Sequence, residues 1–283
     1  MLLKEGAEPF TLVYFFEGDS LAHHKGIAAQ RRYVGILDGY IKEMFEAGGG
    51  IDRVLDEYAV LVVSDHGHTP LLPERRYVRL DGILKRRTAV GARARLGPGV
   101  RMLAVPNGRA ALVYLGGTER REEVIEDLLG RRGVDLAAYE DGGWVVVRKA
   151  ENELRFRPGA GPADPAGRSW DLAGNPGALD LEISGDALRY GDYPDALERL
   201  WGSVRSPRAG DVILSAAPGY TFGEVNGNFH KESDHGSLHA EDSGVFSIGL
   251  GLPAPRRITD IAPILLAHFG ADAGAEIAKA RVL

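Results

Sequence analysis

Two short apolar runs, Thr11–Phe16 (TLVYFF) and Ala59–Val63 (AVLVV), enclose a longer stretch with a different rhythm. Between them Ile27, Tyr33, Ile36, Leu37, Tyr40, Ile41, Met44 and Phe45 recur at the three-and-four spacing of one helix face, and Gly48-Gly49-Gly50 stops the helix. Each apolar run is too short for a helix and rich in β-branched and aromatic residues. Each therefore reads as a buried strand breaking into a loop, at Glu17-Gly18-Asp19 and at Ser64-Asp65-His66-Gly67. Strand, loop, long helix, strand is a βαβ pattern, and such units build parallel sheets. The expectation is an α/β fold, a mainly parallel sheet flanked by helices.

The middle third reads differently. Ala110–Leu115 and Trp144–Arg148 have strand character around a helix from Glu119 to Leu129, with Thr118 and Gly130 as its caps. Arg-, Gly- and Pro-rich stretches, Leu84–Val100 and Arg157–Gly177, lie on either side. Residues 85–190 are expected to form a small α+β insertion dividing the core into 1–84 and 191–283. The core resumes with a helix over Pro194–Trp201 and strands over Asp211–Ala216 and Val245–Leu250. A last helix covers about Thr259–Phe269, with Pro263 near its first turn.

Composition narrows the function. At 283 residues, with 44% hydrophobic and 26% charged, the chain has an ordinary globular make-up and the length for one large domain or two. Its longest uncharged apolar stretches, Ala59–Val63 and Ile261–Phe269, fall far short of the ~20 residues that span a bilayer. A net charge of −6 gives no basic footprint for nucleic acid. The absence of cysteine removes thiolate zinc sites, disulfides and cysteine nucleophiles together. Met1–Phe10 carries Lys4, Glu5 and Glu8 rather than an apolar leader core, so a cytoplasmic location is expected.

The 8 histidines are unevenly placed. One cluster is Asp19-Ser20-Leu21-Ala22-His23-His24, a second Ser64-Asp65-His66-Gly67-His68, and a third Asp234-His235-Gly236-Ser237-Leu238-His239. Each follows or adjoins an expected strand, and ligands of open α/β sheets collect beyond the strand ends. Carboxylate and neutral imidazole without thiolate suit a hydrolytic zinc or manganese site. Two such ions about 4 Å apart can stabilise both the attacking and the leaving oxygen of a phosphoryl displacement. Singly the first and third clusters are weak, Asp19-x-x-x-His23 alone reading better as a helix-capping Asp beside an exposed His, while Asp65-His66-Gly67 after a strand is moderately specific because Gly lets the backbone turn beneath the site. In this order, each at a strand end, they point to a metal centre.

These residues resemble the alkaline phosphatase superfamily, in its nucleotide pyrophosphatase/type I phosphodiesterase-like branch. The marks are Asp19-x-x-x-His23-x-x-Gly26, Ser64-Asp65-His66-Gly67, His235-Gly236-Ser237 and the helix opening Ile258-Thr259-Asp260-Ile261-Ala262-Pro263, over about 9–75 and 190–270, with the insertion only loosely similar. The resemblance implies an alkaline-phosphatase-like core, phosphodiesterase chemistry on a phosphorylated small molecule or nucleotide, and two divalent ions, zinc or else manganese. Asp19, His23 and His235 would hold one ion, and Asp65 with His66 part of the second. His239 is the alternative to His235. His24, His68 and His230 are expected at the surface or behind the ligands, His268 in the core or at the surface, Asp38 in a structural role, and Asp242 orienting a ligand histidine.

The chain also departs from that pattern. In the family a further metal-binding Asp and a Thr or Ser nucleophile lie well ahead of the Asp-x-x-x-His strand, whereas Met1–Phe10 here contains no Asp, Thr or Ser. The chain is thus expected to lack the family's first third, to offer no nucleophile, and to expose an edge that favours self-association. Two alternatives stand beside the hydrolase: an inactive metal- or anion-binding form of the fold, and a phosphoglycerate mutase-like enzyme. A sulfatase needs a Cys or Ser in a Cys/Ser-x-Pro-x-Arg setting, and Ser206-Pro207-Arg208 has the wrong spacing.

Overall fold

The computed structural model describes residues 9–74, 76–81, 88–91, 95–97, 99–117, 121–223 and 230–271. In chain order these form α1 (Glu17–Lys25), α2 (Ile27–Ala47), α3 (Ile51–Glu57), β1 (Val60–Val63), β2 (Thr69–Pro70), β3 (Thr88–Val90), β4 (Met102–Asn107) and β5 (Ala110–Leu115). Next come α4 (Arg121–Leu129), β6 (Val134–Asp141), β7 (Trp144–Lys149), β8 (Asn152–Ala163), β9 (Ser169–Gly174), β10 (Leu181–Ser184) and β11 (Ala187–Tyr190). The series ends with α5 (Ala196–Val204), β12 (Val212–Ala216), β13 (Ser233–Asp234), α6 (Ala240–Ser243), β14 (Ser247–Leu250) and α7 (Ile261–His268). None of the described helices is long and apolar enough to cross a membrane.

The chain divides into two compact units. The first draws on Met1–Gly18, Ala29–Gly67 and Gly244–Leu283. Helix α2 occupies the segment its periodicity predicts, and its last turn closes when the Gly48 amide donates to the Met44 carbonyl at 3.1 Å. Gly49 and Gly50 then take φ values of 95° and 105°, a region that side chains resist. Strands β1 and β14 pair antiparallel, from Val60 opposite Leu250 to Val63 opposite Ser247.

One expected element of this unit does not form. Thr11–Phe16 lies outside any strand, and Leu12, Tyr14 and Phe16 are 79%, 69% and 60% exposed. A β-rich run becomes a strand only where a neighbour offers a ladder, and β1 pairs instead with β14. Asp19 consequently sits in the first turn of α1 rather than in a loop after a strand.

The second unit, Asp19–Ala28 and His68–Ser243, contains both hydrophobic clusters and a ten-stranded sheet. The strand order is β10-β11-β8-β7-β6-β12-β5-β4-β3, with β9 paired to β8. Alternation along β6 sends Leu136 and Ala138 to one face and Ala137 and Tyr139 to the other, so both faces are buried. Val124, Ile125 and Leu128 of α4 pack on the Ala137/Tyr139 side, and Ala196, Leu197 and Leu200 of α5 on the opposite one.

The interleaved helices and strands give the α/β character that the sequence pattern predicts, consistent with the alkaline-phosphatase-like core that the resemblance implies. The strand sense is more mixed than the parallel sheet expected from a βαβ reading. Among the described ladders of this sheet, only β3–β4 and β8–β11 are parallel. The reason is local: β4–β5, β6–β7, β7–β8 and β10–β11 are joined by connections of a few residues, which can only reverse the chain. The middle-third strands and α4 lie where the sequence placed them, but the cap assigned to Thr118 falls outside the described residues.

Candidate metal centre

Asp19 and His23 are four residues apart on α1, so both project from one helix face. The inner side of that helix, Ala22 and His23, is buried. Three hydrogen bonds tie it to β13 and the residue before it: the Ser233 hydroxyl donates to the Ala22 carbonyl at 2.7 Å, His23 Nδ1 donates to the Ser233 carbonyl at 2.9 Å, and the Glu232 amide donates to the His23 carbonyl at 3.2 Å.

Strand β13 in turn pairs antiparallel with β2, Asp234 opposite Thr69 and Ser233 opposite Pro70. That register brings the flanking residues, His68 and His235, to the same end of the ladder, with ring centroids 5.1 Å apart. The Asp19 Oδ1 atom then lies 3.2 Å from His23 Nε2, 3.2 Å from His68 Nε2 and 3.4 Å from His235 Nε2. The His23 and His68 side chains are 6% and 1% exposed, against 41% for Asp19. His23 and His68 are thus buried, His235 is 29% exposed, and Asp19 is the most exposed member although the oxygen facing the three rings is itself buried.

Around these groups the chain builds a polar frame. Asp234, fully buried, accepts from the His235 amide at 2.9 Å and the Thr221 hydroxyl at 2.6 Å, and His230 Nδ1 lies 3.2 Å from it. The His230 ring stacks on His23 with centroids 3.5 Å apart. Asp242 accepts from Arg109, from the Thr69 hydroxyl and from the Ser237 amide at 2.5, 2.5 and 2.7 Å. Its described contacts are therefore not with a ligand histidine, as expected; it fixes the segments that carry His68 and His235. The Arg109 guanidinium, also fully buried, donates further to the Tyr220 carbonyl at 3.1 Å.

Charge in the cluster is strongly coupled. Hydrogen bonds from His23, then His235 and His68, hold the Asp19 carboxyl far below the usual carboxylate range despite burial. At His23 burial acts to lower the imidazole pKa, but the contacts to Asp19 and the Ser233 carbonyl outweigh it and the pKa rises. At His68 burial prevails and the pKa falls.

The donor set fits a metal ion. The ligand atoms of Asp19, His23 and His235 all lie within 4.8 Å of one another. A tetrahedral ion with bonds of about 2.0–2.1 Å keeps its ligand atoms about 3.3 Å apart, and the oxygen-to-nitrogen spacings of 3.2 and 3.4 Å match that edge. Nitrogen and oxygen donors without sulfur suit zinc or manganese.

Asp65 and His66 follow β1 in the first unit, where Asp65 Oδ2 is 3.5 Å from His66 Nε2 and Asp65 Oδ1 accepts from the His66 amide at 3.0 Å. His239 rests against Tyr193 and lies 3.9 Å from Asp192. His24 is exposed and bonds the Ser20 carbonyl. His68 and His230, expected at the surface or behind the ligands, and Asp234, given no role of its own, also reach the cluster. Their proximity depends on the pairing of two two-residue strands, which leaves no local pattern.

The model of the family described as type I phosphodiesterase/nucleotide pyrophosphatase matches residues 4–238. The match takes in the first two Asp/His clusters, the third as far as Leu238, and also the middle third, where only loose similarity was expected. No curated protein and no solved structure matches the chain. With most of its 283 residues aligned, the chain belongs to the type I phosphodiesterase/nucleotide pyrophosphatase family.

Proposed function

We propose that the chain is a metal-dependent phosphoric ester hydrolase acting on phosphodiester or nucleotide substrates, with two divalent ions, zinc or in second place manganese. The observation that carries this reading is the approach of His23 and His235 to one Asp19 oxygen, in a member of a phosphodiesterase family. Asp19, His23 and His235 would hold one ion, and Asp65 with His66 part of the other. When bound, such ions stabilise the charge that develops on the attacking and leaving oxygens of a phosphoryl displacement.

The chain's own contribution is positioning and charge. The Ser233 carbonyl fixes the His23 ring, leaving Nε2 directed at Asp19. The Arg109–Asp242 pair holds the His235 loop through the Ser237 amide. On this reading segments 1–84 and 191–283 supply the core, and 85–190 is the insertion that shapes the substrate pocket. No residue of the chain is assigned as nucleophile.

The test is an assay of zinc- or manganese-loaded protein on bis(p-nitrophenyl) phosphate and p-nitrophenyl phosphate. Diester hydrolysis that EDTA stops and His23→Ala abolishes supports the proposal. Preference for the monoester favours a phosphatase or mutase-like activity. Bound zinc with no turnover of either compound replaces the hydrolase by an inactive metal-binding form of the fold.

A further inference from the structure

His68 directly follows the Asp65-His66-Gly67 motif, yet its ring is placed by the second unit. Its side chain is 1% exposed, a costly location for an imidazole unless both ring nitrogens are used. The Nδ1 atom lies 3.3 Å from the Ser233 hydroxyl oxygen. That hydroxyl donates its one hydrogen to the Ala22 carbonyl at 2.7 Å, so toward His68 it can only accept. His68 therefore carries a proton on Nδ1, and in the neutral ring Nε2 is the nitrogen that presents a lone pair.

The lone pair faces Asp19 Oδ1 at 3.2 Å. His23 repeats the arrangement: its Nδ1 donates to the Ser233 carbonyl, and its Nε2 faces the same oxygen at 3.2 Å. Ser233 thus orients both rings, one through its carbonyl and one through its hydroxyl. With both rings neutral, two Nε2 lone pairs face one carboxylate oxygen, an arrangement that a cation among them stabilises. Without an ion, the same two contacts of His68 would require the ring to carry both protons, a charged imidazolium buried at 1% exposure. The spacing equals that of His23 and matches the ligand-to-ligand edge of about 3.3 Å around a four-coordinate ion.

We infer that His68 is a metal ligand through Nε2, holding an ion against the same Asp19 oxygen that His23 and His235 approach, with Ser233 as the residue that positions it. The inference rests on the metal-centre reading above and adds a ligand to it.

The test measures zinc bound per chain, zinc affinity by competition with a chromophoric chelator, and the visible spectrum of cobalt-substituted protein, for wild type, His68→Ala and Ser233→Ala. Folding of each variant is followed by circular dichroism in EDTA. His68→Ala should lose an ion or weaken zinc binding about 100-fold or more, beyond the ~10–100-fold typical of an outer partner, and should change the cobalt d–d bands. Ser233→Ala, which keeps the imidazole, should weaken binding about 10-fold. If His68→Ala folds and binds zinc as wild type does, with an unchanged cobalt spectrum, His68 is not a ligand while the metal-centre reading stands. Should His68→Ala fail to fold, unchanged affinity in Ser233→Ala overturns the inference instead. A wild-type protein that takes up no zinc or cobalt overturns the metal-centre reading, and this inference with it.

Discussion

Gly108 sits so close to His235 that a Cβ on the glycine would lie 2.5 Å from the His235 carbonyl oxygen and 2.9 Å from Asp234 Oδ1. Its φ of 59° is left-handed as well. Gly108→Ala should therefore push on the loop carrying His235 and destabilise the protein by about 1–3 kcal/mol. Urea denaturation would read the stability loss, and zinc titration the accompanying fall in affinity. A variant as stable as wild type would show that the loop yields without consequence.

Arg109 and Asp242 are both buried, and Asp242 also serves Thr69 and Ser237. Arg109→Met would leave the carboxylate buried without its cation, and such a loss is worth about 3–5 kcal/mol. The double change Arg109→Met/Asp242→Asn should recover part of that loss, because no buried charge is left uncompensated. Denaturation midpoints of the single and double variants, compared as a cycle, test this.

Asp164 supplies a pH dependence. Burial would raise its carboxyl pKa, but the Arg168 side chain and amide and the Trp170 indole outweigh burial and lower it. A carboxylate with a depressed folded-state pKa contributes stability that is complete above the unfolded value of about 3.9 and is lost as pH falls through the folded value. Asp164→Asn should be less stable than wild type by about 1–3 kcal/mol at neutral pH. The gap should close in acid. Chemical denaturation of both proteins across that range measures it, and a gap independent of pH would remove Asp164 as its source.

His235 and His239 separate in the structure although the sequence left a choice between them. His235 faces Asp19, while His239 lies against Tyr193 and Asp192. His235→Ala should weaken zinc binding by about 100-fold, as loss of a direct ligand must exceed the ~10–100-fold loss of an outer partner. His239→Ala should leave it unchanged. Competition titration decides between them.

The legible parts of the fold were those with local causes. Helix α2 lies on Ile27–Ala47 because periodicity and the glycine stop are both written into that segment. Thr11–Phe16 has strand composition but forms no strand, since a ladder depends on what lies alongside. The Asp19–His23 pair survived that misreading because four-residue spacing places two side chains together on a helix. His68 and Asp234 stand in Asp/His-rich segments and His68 and His230 were expected at the surface or behind the ligands, but the places these three take at Asp19 and His23 were not legible. What brings them to the cluster is the pairing of β2 with β13 across a long separation in sequence, together with the hydrogen bonds of Ser233. Strand sense in the large sheet was hidden for a similar reason: alternation reports burial and not direction.

Strand β12 lies between β5 and β6, antiparallel to both, yet it follows every other strand of that sheet in the chain. During synthesis the β3–β5 and β6–β11 portions emerge before the strand that joins them. Until Val212–Ala216 is available, β5 and β6 each keep an open edge able to recruit a strand from another nascent chain. Closing the sheet also requires a long-range contact, which slows folding relative to the local hairpins on either side. The stage most exposed to misassembly thus comes late, just before the segment bearing Asp234 and His235 is made.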